Sequence, residues 1–295
     1  IEQRDALRPL AEAVLEVQVS QVAADLGLTL GGQPLPPVLY HTTDPPNSLI
    51  VSPRYVIRQE HSVNISPDMT LDEIVKLEDD VAAALDVSTL TVGIGGIGLY
   101  PTMVMETTHI NWLAEVVAHE WMHNYLAFRP LGASYGVTAE NRIINETTAS
   151  IAGSEIGQAV IAHYYPAFVP EPASDEPSPP VEQPTEPPTF DFRAEMHQTR
   201  VEADRLLAAG DVEAAEAYME ARRQVFWEQG YRIRKLNQAY FAFHGAYADQ
   251  PGGAAGEDPV SAAVRSLRQQ SSSLAGFINR IAWIWSYDQL VEISD

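Results

Sequence analysis

His119-Glu120-Trp121-Met122-His123 is the stretch on which the reading of this chain turns. Two histidines four apart in a helix lie on one face about one turn apart, so both imidazoles can reach a single metal ion. The glutamate beside the first is placed to take a proton from a metal-bound water. Such a pattern requires a helix around it and a third ligand after it. No glycine or proline interrupts Ile110 to Arg129, and Pro130 with Gly132 predicts a stop. Trp112, Val116 and Val117 fall on or beside the histidine face, so that face is expected to be embedded rather than solvated. A dry shell strengthens a metal's effect on its water.

The third ligand is sought in a second helical stretch, Thr138 to about Tyr164, which contains Glu140, Glu146 and Glu155. Glu146 shares a helical stripe with Ala149, Gly153 and Gly157, all small. Glycine costs a helix up to ~1 kcal/mol, so two on one face predict close approach of another helix. That approach is what a glutamate needs to reach the ion held by His119 and His123. Glu140 sits near the helix start, where an acid favours the positive end of the dipole. An ordinary surface glutamate is the alternative for Glu146.

His119-Glu120-Trp121-Met122-His123 followed by Asn145-Glu146 resembles the gluzincin zinc metallopeptidases, the thermolysin-like and aminopeptidase-like enzymes. The resemblance spans roughly Leu90 to Gly157. It implies zinc as cofactor, with His119, His123 and Glu146 as ligands. It also implies a zinc-bound water attacking a peptide carbonyl, with Glu120 as general base. Ser150 stands where family members commonly place an acid that orients a ligand histidine. Ser150, Glu115 and Asn145 are the residues expected to support the ligands from behind, with no choice made between Ser150 and Glu115. More loosely, the whole chain is similar to bacterial predicted metallopeptidases with a helical C-terminal half.

The segment before the histidine helix reads as strands. Ser88 to Ile94 is β-branched and ends in glycines; Leu99 to Met105 is a second run whose Pro101 confines it to a sheet edge. In gluzincins an edge strand before the zinc helix binds substrate by β-augmentation, and Gly95, Gly96, Ile97 and Gly98 resemble its start. A plain glycine-rich hairpin is the alternative, and no phosphate-loop ending follows. An oxyanion donor is expected from the C-terminal half. Asn237, Tyr240, His244 and Tyr247 share one helical face, with Tyr240 ahead of Tyr247 as candidate and core aromatics as the alternative.

Composition narrows the function classes. The 295 residues, 45% hydrophobic, suffice for a substantial core, while a net charge of −22 disfavours nucleic acid and anionic lipid as partners. No cysteine is present, so thiolate ligands and nucleophiles are excluded. No run of about 18 apolar residues reads as a membrane span. The start at Ile1 is read as processing or truncation, and the resemblance suggests an extracytoplasmic domain tethered through a segment outside this chain. A zinc peptidase acting on peptide or protein substrates is the first expectation. A zincin-derived binding or scaffold protein using a helical hairpin is the second.

The expected fold is α+β and mainly helical. A small mixed sheet with an edge strand precedes the zinc helix, and the C-terminal half is helical with an αα-hairpin. Residues 1–165 read as the catalytic core, 166–190 as a proline-rich acidic linker and 191–295 as a helical region packed on the core. The core should open with a helix from Gln3 to Leu26 whose stripe is Leu7, Leu10, Val14, Val17 and Val22. Strands are expected at Val38-Leu39-Tyr40 and Tyr55-Val56-Ile57, and a helix from Thr70 or Asp72 to Leu85. The hairpin pairs Phe192–Ala209 with a helix from Val212 to about Ala248, capped by Asp211. A last helix runs from Pro259 to near Trp285.

Overall fold

A computed structural model describes residues 2–170, 190–244 and 259–294. Within them the chain is α+β and mainly helical. In the first helix, α1 (Glu2–Asp25), only Val22 of the expected stripe turns inward. Leu15, Val19, Val22 and Ala23 are buried, whereas Leu7, Leu10, Val14 and Val17 are exposed. The reason is polar. Glu16 and Glu12 also lie on the inner side, where they accept the N–H groups of Tyr40 and Thr42 at 2.9 and 2.7 Å. Both residues lie in the strand β1 (Tyr40–Thr43), so the inner face of α1 completes a strand's hydrogen bonds as well as packing.

Two small three-stranded sheets follow. In one, antiparallel throughout, β2 (Asn47–Pro53) lies between β3 (His61–Ile65) and β4 (Val87–Gly93). Tyr55-Val56-Ile57, expected as a strand, falls in the turn after β2. In the other, β6 (Thr102–Met105) pairs in parallel with β1 and antiparallel with β5 (Gly96–Ile97). Pro101 therefore precedes a central strand and does not mark an edge. β5 is an edge strand that, among the described residues, pairs only with β6.

Helix ends follow side-chain capping. Thr70 and Glu73 form a reciprocal capping box that opens α2 (Leu71–Leu85). The histidine helix α3 (Ile110–Leu126) stops short of Arg129, and Pro130 takes the first turn of α4 (Pro130–Ala133), where its missing N–H costs nothing. Thr138 accepts the Asn141 N–H and opens α5 (Ala139–Tyr164). Of the proline-rich stretch, Pro166–Phe168 form a 3-10 turn, and residues 171–189 lie outside the described residues.

The C-terminal helices are more broken than the sequence suggests. The hairpin partners are α6 (Phe192–Ala208) and α7 (Val212–Glu228), and Asp211 makes no side-chain cap bond. Gly230, at φ 91°, ends α7 well before Ala248, and α8 (Gln238–His244) starts afresh. Ser273 accepts the Gly276 N–H, which splits the last expected helix into α9 (Pro259–Gln270) and α10 (Leu274–Ile281). A final helix, α11 (Tyr287–Ser294), follows.

Two apolar clusters hold these parts. One joins α1, α3 and α5 to β1, β6 and α9 to α11. The other seats α6, α7 and α8 on Ile50 and Leu90 of the antiparallel sheet. The helices after residue 190 are thus shared between both clusters. No helix among the described residues is long and apolar enough to cross a membrane.

Candidate metal centre

The centre is built where α3 and α5 come closest. A Cβ added to Gly153 of α5 would lie 2.8 Å from His119 Cβ and 2.9 Å from the Glu115 carbonyl oxygen. At Gly157 it would lie 2.8 Å from Glu115 Cα. Side chains at these two positions would force the helices apart, so the glycines set the separation that brings Glu146 to the histidines. His119, Glu120 and Glu146 are 9%, 8% and 5% exposed, which places the polar cluster inside the protein rather than on it.

His119 Nε2 and His123 Nε2 are 3.1 Å apart, and Glu146 Oε2 is 3.6 and 3.5 Å from them. Three ligands at about 2.0–2.1 Å from a tetrahedral ion stand about 3.3–3.4 Å from one another. The triangle, with sides of 3.1, 3.5 and 3.6 Å, is close to that size. These three side chains fit a metal ion as three corners of a tetrahedron.

The neighbours fit the same purpose. Asn145 donates through Nδ2 to the Leu131 carbonyl, which turns its Oδ1 toward His123 Nδ1 at 2.7 Å. In its neutral form His123 then carries its proton on Nδ1, leaving the Nε2 lone pair for an ion. Tyr135 donates its hydroxyl to the other oxygen of Glu146 at 2.6 Å. Burial opposes a charged His123, yet the Glu146 carboxylate outweighs it and raises the imidazole to about 9. Burial would equally raise Glu146, but the two histidines hold it well below the usual carboxylate range. The cluster calls for positive charge at its centre.

Glu120 lines the same cavity as the triangle and lies against β5. A Cβ on Gly96 would lie 2.8 Å from Glu120 Oε1, so β5 rests directly on this carboxylate. Burial raises the Glu120 carboxyl above its ordinary range. Both sit on a cavity of about 340 Å³, lined also by His119, His123, Glu146, Tyr135 and Arg142. A metal ion there would be reached from solvent through this cavity.

Nothing matches this chain among family models, curated proteins or solved structures.

The expected site residues are therefore placed by geometry alone. His119, Glu120, His123 and Glu146 meet at the cavity, with Asn145 behind His123. Gly96, Ile97 and Gly98 line it as well, but Gly95 lies against the Trp112 ring instead. Ser150 Oγ is buried without a hydrogen-bond partner among the described residues, so it orients neither histidine. Glu115 makes no hydrogen bond to a ligand; it lies where α5 crosses α3, its carboxyl raised by burial. Tyr240 is turned away from the cavity into the second apolar cluster, its ring 4.3 Å from that of His244 and its hydroxyl pushed up to about 12 by burial. The cause is helix phase: Asn237 caps α8 by accepting the Tyr240 N–H, and Phe243 is the α8 residue that reaches the cavity. Tyr247 lies outside the described residues.

Sequence reasoning missed Tyr135 and Arg142. Arg142 stands one turn before Glu146 on the same face of α5, a spacing that could have flagged it. Tyr135 lies in the short connection between α4 and α5, where no periodicity points to a partner.

Proposed function

We propose that the protein is a zinc-dependent peptidase of gluzincin type. The observation that carries this reading is the triangle of His119, His123 and Glu146 with a separate carboxylate, Glu120, beside it on the same cavity. Two imidazoles and one carboxylate are a donor set that suits zinc and leaves one position open. When bound, zinc would supply Lewis acidity to a carbonyl oxygen and make water a stronger nucleophile near neutral pH.

The chain's own residues supply the rest. Glu120 takes the proton of the attacking water at its carboxylate and passes it to the leaving amine. The free edge of β5 offers unpaired backbone groups to an extended peptide directly above Glu120. Tyr135 spends its one hydroxyl proton on Glu146 and so steadies the carboxylate that would hold the ion. The tyrosine lines the cavity, and burial first, then the Glu146 charge, keeps it protonated.

Metal analysis and a peptide-library assay on the wild type and Glu120→Gln test the proposal. Both proteins should hold one zinc, and turnover should fall by about 10²–10⁴-fold in the variant. Equal turnover in the two, or none in either with zinc bound, would overturn it.

A further inference from the structure

Among the described residues of this acidic protein, Arg142 is a cation paired with no acid. Most lysines and arginines of the described residues pair with a carboxylate, as Arg54 does with Glu216, Arg234 with Glu78 and Arg268 with Glu155. Arg142 has no carboxylate within ion-pair distance among the described residues, although the chain carries 40 acids against 18 bases. It lies in the cavity, one turn from Glu146, and that carboxylate is committed to the histidines and to Tyr135.

The side chain is nonetheless held. One guanidinium nitrogen donates to the Gln59 carbonyl at 2.8 Å, and its Cζ stands 5.9 Å from the centre of the Tyr135 ring. A guanidinium carries five N–H donors in a planar fork, so most remain for a ligand. Ser48, Gln59, Ser62 and Asn64 add uncharged polar groups to the same cavity. With a divalent ion bound, Glu146, Glu120 and Arg142 would leave the cavity with one net positive charge, against the sign of the whole chain.

Resting on the peptidase reading, we infer that Arg142 is the anchor for a carboxylate of the substrate and so determines its class. Peptides presenting a carboxylate a short distance from the scissile bond are preferred, held bidentately by the fork. The carboxylate is supplied by a free C-terminus or by an acidic side chain.

Calorimetric titration of the zinc-loaded Glu120→Gln protein separates these sources without needing turnover. The probes are N-acetyl-trialanine as free acid, the same peptide as its amide, and an amidated analogue with glutamate in the middle. At least one carboxylate peptide should bind about tenfold or more tightly than the neutral amide. Adding Arg142→Gln should bring that ratio close to one, while Arg142→Lys, which keeps the charge without the fork, should leave part of it. No preference for either carboxylate peptide, or a ratio unchanged in both Arg142 variants, overturns the inference. If the preference appears but the zinc-loaded wild type hydrolyses no peptide of a library, the anchor stands and the peptidase reading falls.

Discussion

Asn145 decides which nitrogen of His123 is free. Its amide cannot rotate without losing the bond to the Leu131 carbonyl, so the oxygen stays 2.7 Å from His123 Nδ1. Replacing it by alanine removes the acceptor that fixes both tautomer and ring orientation. Zinc affinity should then fall by about 10–100-fold, read by competition with a chromophoric chelator. The lost bond to Leu131 adds only about 1 kcal/mol of destabilisation, so the variant should stay folded. Undiminished affinity would mean that packing alone orients the imidazole. The same residue shows what was legible at this scale. The ligands and Glu120 follow from spacing within single helices, because four residues in a helix are neighbours in space. Tyr135 was hidden because a loop residue's neighbours depend on where two helices end, and no local rule carries that.

At the scale of elements, the contact between α3 and α5 is the one on which the centre depends. Helix propensity alone favours alanine over glycine at position 153 by up to about 1 kcal/mol. Packing opposes it, since the new methyl would meet His119 Cα at 3.0 Å and the Glu115 carbonyl at 2.9 Å, both backbone atoms that cannot swing aside. Overpacking of this kind costs about 1–3 kcal/mol. Gly153→Ala should therefore unfold at lower urea concentration than the wild type and bind zinc more weakly, because separating the helices draws Glu146 away from both histidines. A more stable variant would show that the helices can part freely. The stripe of small residues made this contact readable in the sequence. The strand β2 was not readable for the opposite reason. It is buried on both faces, with α8 packed on it, so its residues show no alternation of apolar and polar. Breaks such as that between α7 and α8 were missed because a single glycine at positive φ interrupts an otherwise helical pattern.

For the whole molecule, the cavity lies where the two apolar clusters meet. Its histidines and Glu146 belong to helices of the first cluster, whereas Ser48, Ser62 and Phe243 come from elements of the second. The second cluster is fastened by Glu78 of α2, which is 1% exposed. Its carboxylate accepts the Thr91 N–H at 2.6 Å and Arg234 at 2.6 and 2.9 Å, with Lys235 at 3.3 Å. These bonds tie α2 and β4 to the segment that leads into α8. Burial would raise the Glu78 carboxyl, but Arg234, the Thr91 N–H and Lys235 outweigh it and hold it below its ordinary value. A carboxyl lowered in the folded state stabilises the protein above its unfolded value of about 4.5 and loses that effect as pH falls through the folded value. Glu78→Gln should therefore lower stability by about 2 kcal/mol at pH 7, since Arg234 and Lys235 are about a third exposed and regain water in part. The gap between variant and wild type should shrink steadily below pH 4.5, as the wild type's own carboxyl becomes protonated. Urea unfolding of both proteins at pH 7, 5 and 3.5 measures it. A gap that stays constant across this range would mean that Glu78 acts through packing and not through its charge. In that case the second wall of the cavity would not depend on this ion pair.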